Sequence, residues 1–194
     1  MVLGLPRGGV VVAAEVAHAL HAPLDVVIVR KLGAPAQPEF AVGAIGEDGI
    51  VLVDDAAIDA FGLQAELPGL IEHEQRELTR RTERYRRGRP PAAVRDRTVL
   101  LVDDGVATGA TARVAAEVTR LRGARRIVLA VPVGPPGVAG RFGGAVDEVV
   151  CLATPRGFHA VGQAYGSFEA TTDEEVEAAL RDATPDDAPG APAP

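Results

Sequence analysis

Two adjacent acids open the most informative stretch of the chain, Asp103-Asp104-Gly105-Val106-Ala107-Thr108-Gly109-Ala110-Thr111. They follow the apolar run Val99 to Val102, which reads as a buried strand, so both acids stand at a strand's carboxyl end. Neighbouring carboxylates repel each other and call for cationic or hydrogen-bonding partners. Gly105 and Gly109 let the chain turn tightly without a side chain blocking a ligand. Thr108 and Thr111 supply hydroxyls, and the helix that follows presents backbone N–H groups at its positive end. The result is a cup for an anion beside two carboxylates that accept hydroxyl hydrogens, which is what a phosphorylated sugar needs. A Walker-type loop requires Gly-Lys-Ser/Thr, and this stretch has no lysine. A purely structural turn accounts for Gly105 and one acid, but not for both acids and both threonines.

A second loop has the same setting. Pro6-Arg7-Gly8-Gly9 leaves the short apolar run Val2 to Leu5 and enters a helix expected over Val10 to Leu20. Arg7 offers a forked cation suited to a diphosphate, and Gly8 and Gly9 bring bare backbone amides close. The rival reading is a dinucleotide fingerprint, since this too is strand, glycine turn and helix with Asp25 downstream. Pro6 takes the place of its second glycine, however, and Asp25 opens its strand where the ribose-binding acid should close one. Arg30 and Lys31 follow the β-branched run Val26 to Val29 and are expected at the end of that strand, on the same sheet edge. Lys31 is the only lysine in the chain, and a lone lysine fits a site that needs a compact point charge. Cys151, the single cysteine, sits in an apolar run and reads as an inert core residue. His159 beside Phe158 either lines a pocket or is merely structural. The arginines from Arg76 to Arg89 read as a solvated, salt-bridged helix face, with one or two of them able to reach a phosphate.

The remaining elements must position these groups. Gly33 to Glu39, with Pro35 and Pro38, reads as a loop. Ala41 to Ile45 and Ile50 to Val53 read as strands joined across Glu47-Asp48-Gly49. Asp54 or Asp55 can cap a short helix ending near Gly62. Leu70 to Arg87 reads as a long polar helix with Glu72–Arg76, Glu77–Arg81 and Glu83–Arg87 pairs and a narrow stripe of Ile71, Leu78 and Tyr85. A helix from about Thr111 to Arg122 buries Val114, Val118 and Leu121, and Gly123 stops it. Ile127 to Val131 and Asp147 to Leu152 read as strands, Thr154 to Phe168 as irregular, and Asp173 to Arg181 as a terminal helix. The expected organisation is one domain over residues 1–184, with an inserted helical segment at about 55–90 and a hood at about 154–168. Residues 185–194 are rich in Pro, Ala and Asp and read as a disordered tail. Apolar strands alternating with helices imply a mostly parallel sheet covered on both faces, with ligands beyond the strands' carboxyl ends.

Composition excludes several classes. A net charge of -7 argues against a general nucleic-acid binder, and 4% aromatics against a base-stacking surface. One cysteine permits no internal disulfide and no multi-cysteine metal site. No run approaches the roughly 18 apolar residues of a membrane span. The apolar start and Ala17-His18-Ala19 imitate a secretory leader, but Arg7, Glu15 and the glycine turn interrupt it, so a cytoplasmic setting is expected.

Val99 to Thr111 resembles the signature of the type I phosphoribosyltransferases. Leu5 to Val10, Val29 to Pro35 and Pro38 to Ile45 resemble a bacterial subgroup of that family whose acceptor is unknown, and the likeness covers nearly the whole chain. The resemblance implies an α/β fold, a twisted, mostly parallel sheet flanked by helices with a small hood. It implies 5-phosphoribosyl-1-pyrophosphate as donor, with Asp103 and Asp104 on the ribose hydroxyls. Gly105, Ala107, Thr108, Gly109, Ala110 and Thr111 would then surround the 5-phosphate. Arg7, Gly8 and Gly9 take the place of the pyrophosphate loop, with a cis peptide before Arg7, and Arg30 and Lys31 that of a basic pair on the pyrophosphate. Mg²⁺ is implied as cofactor, held indirectly by Asp103 and Asp104 together with the donor. The implied reaction moves the phosphoribosyl group to a nitrogen acceptor such as a nucleobase, in a homodimer, with Asp103, Asp104, Arg7 and Lys31 carrying the catalysis. A non-catalytic regulator that binds the same donor is the alternative, and the acidic balance weighs against it. Family members usually carry a helix ahead of the first strand, whereas here the strand begins at Val2, which implies uncovered apolar sheet surface.

Overall fold

The computed structural model describes residues 1–182, with the backbone alone at positions 38 and 39. The tail expected over 185–194 lies outside the described residues. The chain opens with β1 (Val2–Gly4), α1 (Gly8–Leu20) and β2 (Leu24–Val26), then builds a hairpin layer of β3 (Val29–Ala34), β4 (Gln37–Gly46) and β5 (Val51–Val53). Two helices follow, α2 (Asp55–Phe61) and α3 (Leu67–Arg86). The path returns through β6 (Thr98–Val102), α4 (Ala110–Leu121), β7 (Arg126–Val133) and β8 (Glu148–Ala153), and the last described element is α5 (Asp173–Asp182). No helix of the described residues is long and apolar enough to cross a membrane.

Five strands pair in parallel in the order β2-β1-β6-β7-β8. Successive residues of a strand face opposite sides of a sheet. Leu3, Leu101, Ile127 and Leu129 accordingly join Ala112 and Ala115 of α4 in one buried cluster, while Val2 and Val102 join Ala13 and Ala17 of α1 in another. The two helices therefore cover opposite faces. The order reverses between β1, which leads through α1 to β2, and β6, which leads through α4 to β7. A crevice opens at such a reversal, beyond the carboxyl ends of the strands. At the far edge of the sheet, Leu152 of β8 is 81% exposed.

The hairpin layer, antiparallel in the order β3-β4-β5, departs from the pattern expected of the sequence. Val26 to Val29 is not one strand. Val26 closes β2, Val27 and Ile28 cross between layers, and Val29 opens β3. Val26, Val27 and Ile28 are all buried, so their apolarity could not mark the crossing. Gly33 to Glu39 is mostly strand, with only residues 35–36 in the turn. Pro38 is tolerated because that end of β4 has no β5 neighbour and its pairing with β3 is shifted in register. The helices fall closer to expectation. Asp54 caps α2, its carboxylate accepting from the Ala57 N–H at 3.0 Å. Leu78 and Tyr85 anchor α3 in the core. Glu72–Arg76 and Glu77–Arg81 pair at 3.2 and 2.8 Å. Glu83–Arg87 does not form, because Arg87 leaves the helix with φ 47° and pairs with Glu177 of α5 instead.

One arginine of the basic run is buried rather than solvated. Arg86, 4% exposed, pairs with Glu47, reaches Asp25 at 3.0 and 3.1 Å, and donates to the Val26 carbonyl at 2.9 Å. Glu47 also accepts from the Ile28 N–H at 3.2 Å, and Asp25 from the Ala92 N–H at 2.7 Å. One guanidinium thus ties the end of β2, the crossing, the turn after β4 and the end of α3. Removing one partner of such a pair leaves a buried charge uncompensated. Arg86→Ala should lower stability in urea unfolding by about 3–5 kcal/mol, against less than about 1 kcal/mol for Arg76→Ala on the exposed face. Equal small effects would remove Arg86 from this role.

Candidate functional site

The two strand-end loops meet in the crevice. The Pro6–Arg7 peptide is cis, and α1 starts directly on Gly8 and Gly9. Across from them stand Asp103 and Asp104. A Cβ added at Gly8 would lie 2.0 Å from an Asp104 carboxylate oxygen. One added at Gly9 would lie 2.8 Å from the Asp103 Cα and from the Val102 carbonyl. Contacts this short are not available to any other residue, so here the absence of a side chain sets how near the loops approach. The Leu5 N–H donates to the Val102 carbonyl at 2.9 Å and closes the last rung between them.

This approach buries charge. Burial, and then the neighbouring Asp104, push the Asp103 carboxyl up to about 8, although its oxygen accepts from the Asp104 N–H at 2.9 Å. Burial also raises Asp104. Near neutral pH the pair therefore retains a proton that a bound cation would displace. The loop beyond is pinned from beneath. Val106 sits in the core and its N–H donates to the Val133 carbonyl at 2.9 Å. Gly109, at φ 85°, packs so near Phe142 that a Cβ would lie 3.2 Å from the ring. Ala107, Thr108 and Thr111 remain exposed, and the Ala110 N–H that opens α4 lies 3.4 Å from the Thr108 hydroxyl. Exposed hydroxyls and first-turn amides over a rigid base make an anion cup.

The irregular segment at 154–168 reaches this loop. A Cβ on Gly105 would meet Val161 at 2.5 Å, and the Tyr165 hydroxyl donates to the Asp104 carbonyl at 2.5 Å. Tyr165 also lies against Phe168, with ring centroids 5.1 Å apart. No motif marks Tyr165 in the sequence; the signal it carries is that it is one of two tyrosines and falls in an aromatic-rich irregular stretch. His159 is exposed, and its backbone N–H donates to Gln163 at 2.7 Å. Cys151 is half-buried against the main core cluster.

The basic residues divide. Arg7 borders the crevice, and its guanidinium lies 3.9 Å from Asp173 of α5, another residue the sequence did not single out. Arg30 and Lys31 do not end a strand of the parallel sheet. They lie within β3, in the other layer, where consecutive residues face opposite sides. Arg30 turns toward α3 and pairs with Glu74 at 2.6 Å. Lys31 lies opposite Ala44, which packs against Val114 and Val118 of α4. The structure thus brings Gly8 and Gly9 against the loop from Asp103 to Thr111, with Arg7 beside them, while Arg30 and Lys31 stand within β3 rather than at a strand end of the parallel sheet.

Comparison with known proteins points the same way. A family model described as a phosphoribosyl transferase domain matches residues 1–141, a span holding both crevice loops. Two curated Mycobacterium tuberculosis proteins, provisionally named phosphoribosyl transferases, are each 55% identical over 181 residues, covering 93% of this chain and 41% of theirs. The chain therefore spans about two fifths of the length of these curated relatives. The crystal structure of TT1426 from Thermus thermophilus superposes with a TM-score of 0.83 at 50% identity, over 93% of this chain and 86% of that one.

Two substitutions probe the geometry. Gly9→Ala must displace backbone and should cost about 1–3 kcal/mol in urea unfolding; a neutral result would refute the close approach. Asp103→Asn should stabilise the protein by about 1–3 kcal/mol at pH 7. The sign follows from the raised carboxyl. Its penalty is absent below the ordinary carboxylate range and grows as pH rises toward about 8. The variant's advantage should therefore widen between pH 5 and 8, and a constant gap would contradict the raised value.

Proposed function

From the premise that this chain belongs to the phosphoribosyl transferase family, we propose that its crevice transfers the 5-phosphoribosyl group of 5-phosphoribosyl-1-pyrophosphate to a nitrogen acceptor. The observation that carries this reading is the contact of Gly8 and Gly9 with Asp104 and Asp103, beside the exposed cup at Thr108 to Thr111. An anion cup, a carboxylate pair and a cationic glycine loop then lie in one crevice, in the order of the donor's 5-phosphate, ribose and diphosphate.

The chain's own groups act by binding and orientation. Thr108, Thr111 and the amides opening α4 hold the 5-phosphate. Asp103 and Asp104 accept from the ribose hydroxyls. Arg7 and the amides of Gly8 and Gly9 receive the diphosphate as the C1–oxygen bond breaks and its electron pair leaves with pyrophosphate. The acceptor nitrogen adds to C1 through an oxocarbenium-like state, and electrostatic positioning supplies most of the acceleration. The segment carrying Val161 and Tyr165 borders the ribose loop and is the natural wall for the acceptor. A carboxylate pair with a raised proton affinity suits a hard divalent cation. Mg²⁺ bound with the donor at Asp103 and Asp104 would neutralise charge on the departing pyrophosphate.

The test is Mg²⁺-dependent pyrophosphate release from the donor against a panel of nucleobases and small amines. Turnover with at least one acceptor, reduced about 100-fold or more by Asp104→Asn, is expected. Tight donor binding without turnover for any acceptor would favour a donor-binding regulator. Because a cation held at Asp103 and Asp104 would displace the proton kept near Asp103, donor affinity in Mg²⁺ should rise with pH up to about 8, by at most about tenfold per unit. Calorimetry at pH 6, 7 and 8 checks this, and an affinity that is flat or falls would contradict it.

A further inference from the structure

Arg7 is the only side-chain cation of the glycine loop, yet nothing in that loop holds it. Among the described residues its guanidinium makes no hydrogen bond and one ion pair, 3.9 Å to an oxygen of Asp173. Asp173 is itself well fixed. Its side chain is 13% exposed, accepts from the Tyr85 hydroxyl at 2.5 Å, and lies 3.0 Å from Arg84 and 3.6 Å from Arg80. A reciprocal capping box sets the start of α5: the Glu175 N–H donates to the Thr172 hydroxyl at 3.2 Å, and the Thr172 N–H to the Glu175 carboxylate at 2.7 Å. Val176 and Leu180 bury the far side of α5 in the core. Asp173 thus stands on a rigid element, where three guanidinium groups from α3 and the glycine loop face one carboxylate.

We propose that Asp173 is a positioning residue for Arg7, through which the C-terminal helix sets the cation that meets the leaving pyrophosphate; this rests on the function proposed above. Tyr85 and Arg84 already engage the carboxylate closely, so Arg7 is oriented by charge while its N–H donors stay available to a diphosphate. An arginine free to rotate loses side-chain entropy when a ligand fixes it. Without Asp173, the positive charges of Arg80 and Arg84 would also repel Arg7 and turn it away from the crevice. Arg7 and Asp173 are far apart in the sequence, so only the docking of α5 brings them together.

A double-mutant cycle on the full chain tests this, with Mg²⁺–pyrophosphate binding read by calorimetry. Asp173→Asn should weaken binding about fivefold, the scale of a partly exposed ion pair. In an Arg7→Ala background the same substitution should change binding less than about 1.5-fold, because the residue it acts through is gone. Equal losses in both backgrounds would make Asp173 merely structural, and tighter binding on Asp173→Asn would make it a competitor of the pyrophosphate; either overturns the proposal. Should Asp173→Asn not fold, Tyr85→Phe, which keeps the charge and removes the hydroxyl that fixes it, carries the same cycle with the same criterion. If Arg7→Ala alone leaves binding unchanged, the pyrophosphate assignment itself falls. A loss with Arg7→Ala but no coupling overturns only the role of Asp173.

Discussion

Between the carboxyl ends of β1 and β6 there is no room for a methyl group, and the rest of the site depends on that constraint. Gly8 and Gly9 let the first turn of α1 rest against Asp103 and Asp104. With α1 and α4 on opposite faces of the sheet, both helices begin at the crevice and direct their positive ends into it. The same approach removes water from the carboxylate pair and raises its proton affinity. The fold therefore holds two acids in a state that disfavours their charge, one that a bound cation would relieve. Stability at this point is exchanged for readiness to bind.

Around the crevice lie three supports that differ in kind. Beneath the loop from Asp103 to Thr111, apolar packing of Val106 and Phe142 fixes the backbone. Beside it, the antiparallel layer is tied to the parallel sheet by the buried guanidinium of Arg86, which meets Glu47, Asp25 and the Val26 carbonyl together. At its rim, polar contacts from distant sequence complete the wall, with Tyr165 on the Asp104 carbonyl and Asp173 facing Arg7. Apolar packing thus sets the rigid base, whereas hydrogen bonds and charge set the border where a ligand enters.

Much of this was legible from local pattern. The apolar runs of β1, β6 and β7 are short and buried, and the glycine loops after β1 and β6 stand at helix starts, so the crevice could be expected from strand, turn and helix order alone. Pattern failed where one apolar run served two layers. Val26 to Val29 carries no polar residue at the crossing, so Arg30 and Lys31 were expected at the wrong strand end. Pro35 and Pro38 suggested a loop because sequence cannot show that one end of β4 lacks a neighbour. Arg86 looked like its neighbours on a charged helix, and only the fold brings Glu47 and Asp25 to it. Tyr165 and Asp173 were missed for the same reason, since their partners lie about 60 or more positions away.

The central claim is that one donor spans both glycine loops across the carboxylate pair. Crystals grown or soaked with Mg²⁺ and 5-phosphoribosyl-1-pyrophosphate test it most directly. Density is expected for the 5-phosphate at Thr108 to Thr111, the ribose on Asp103 and Asp104, and the diphosphate at Arg7, Gly8 and Gly9. A donor lodged elsewhere, with the crevice between β1 and β6 empty, would contradict it.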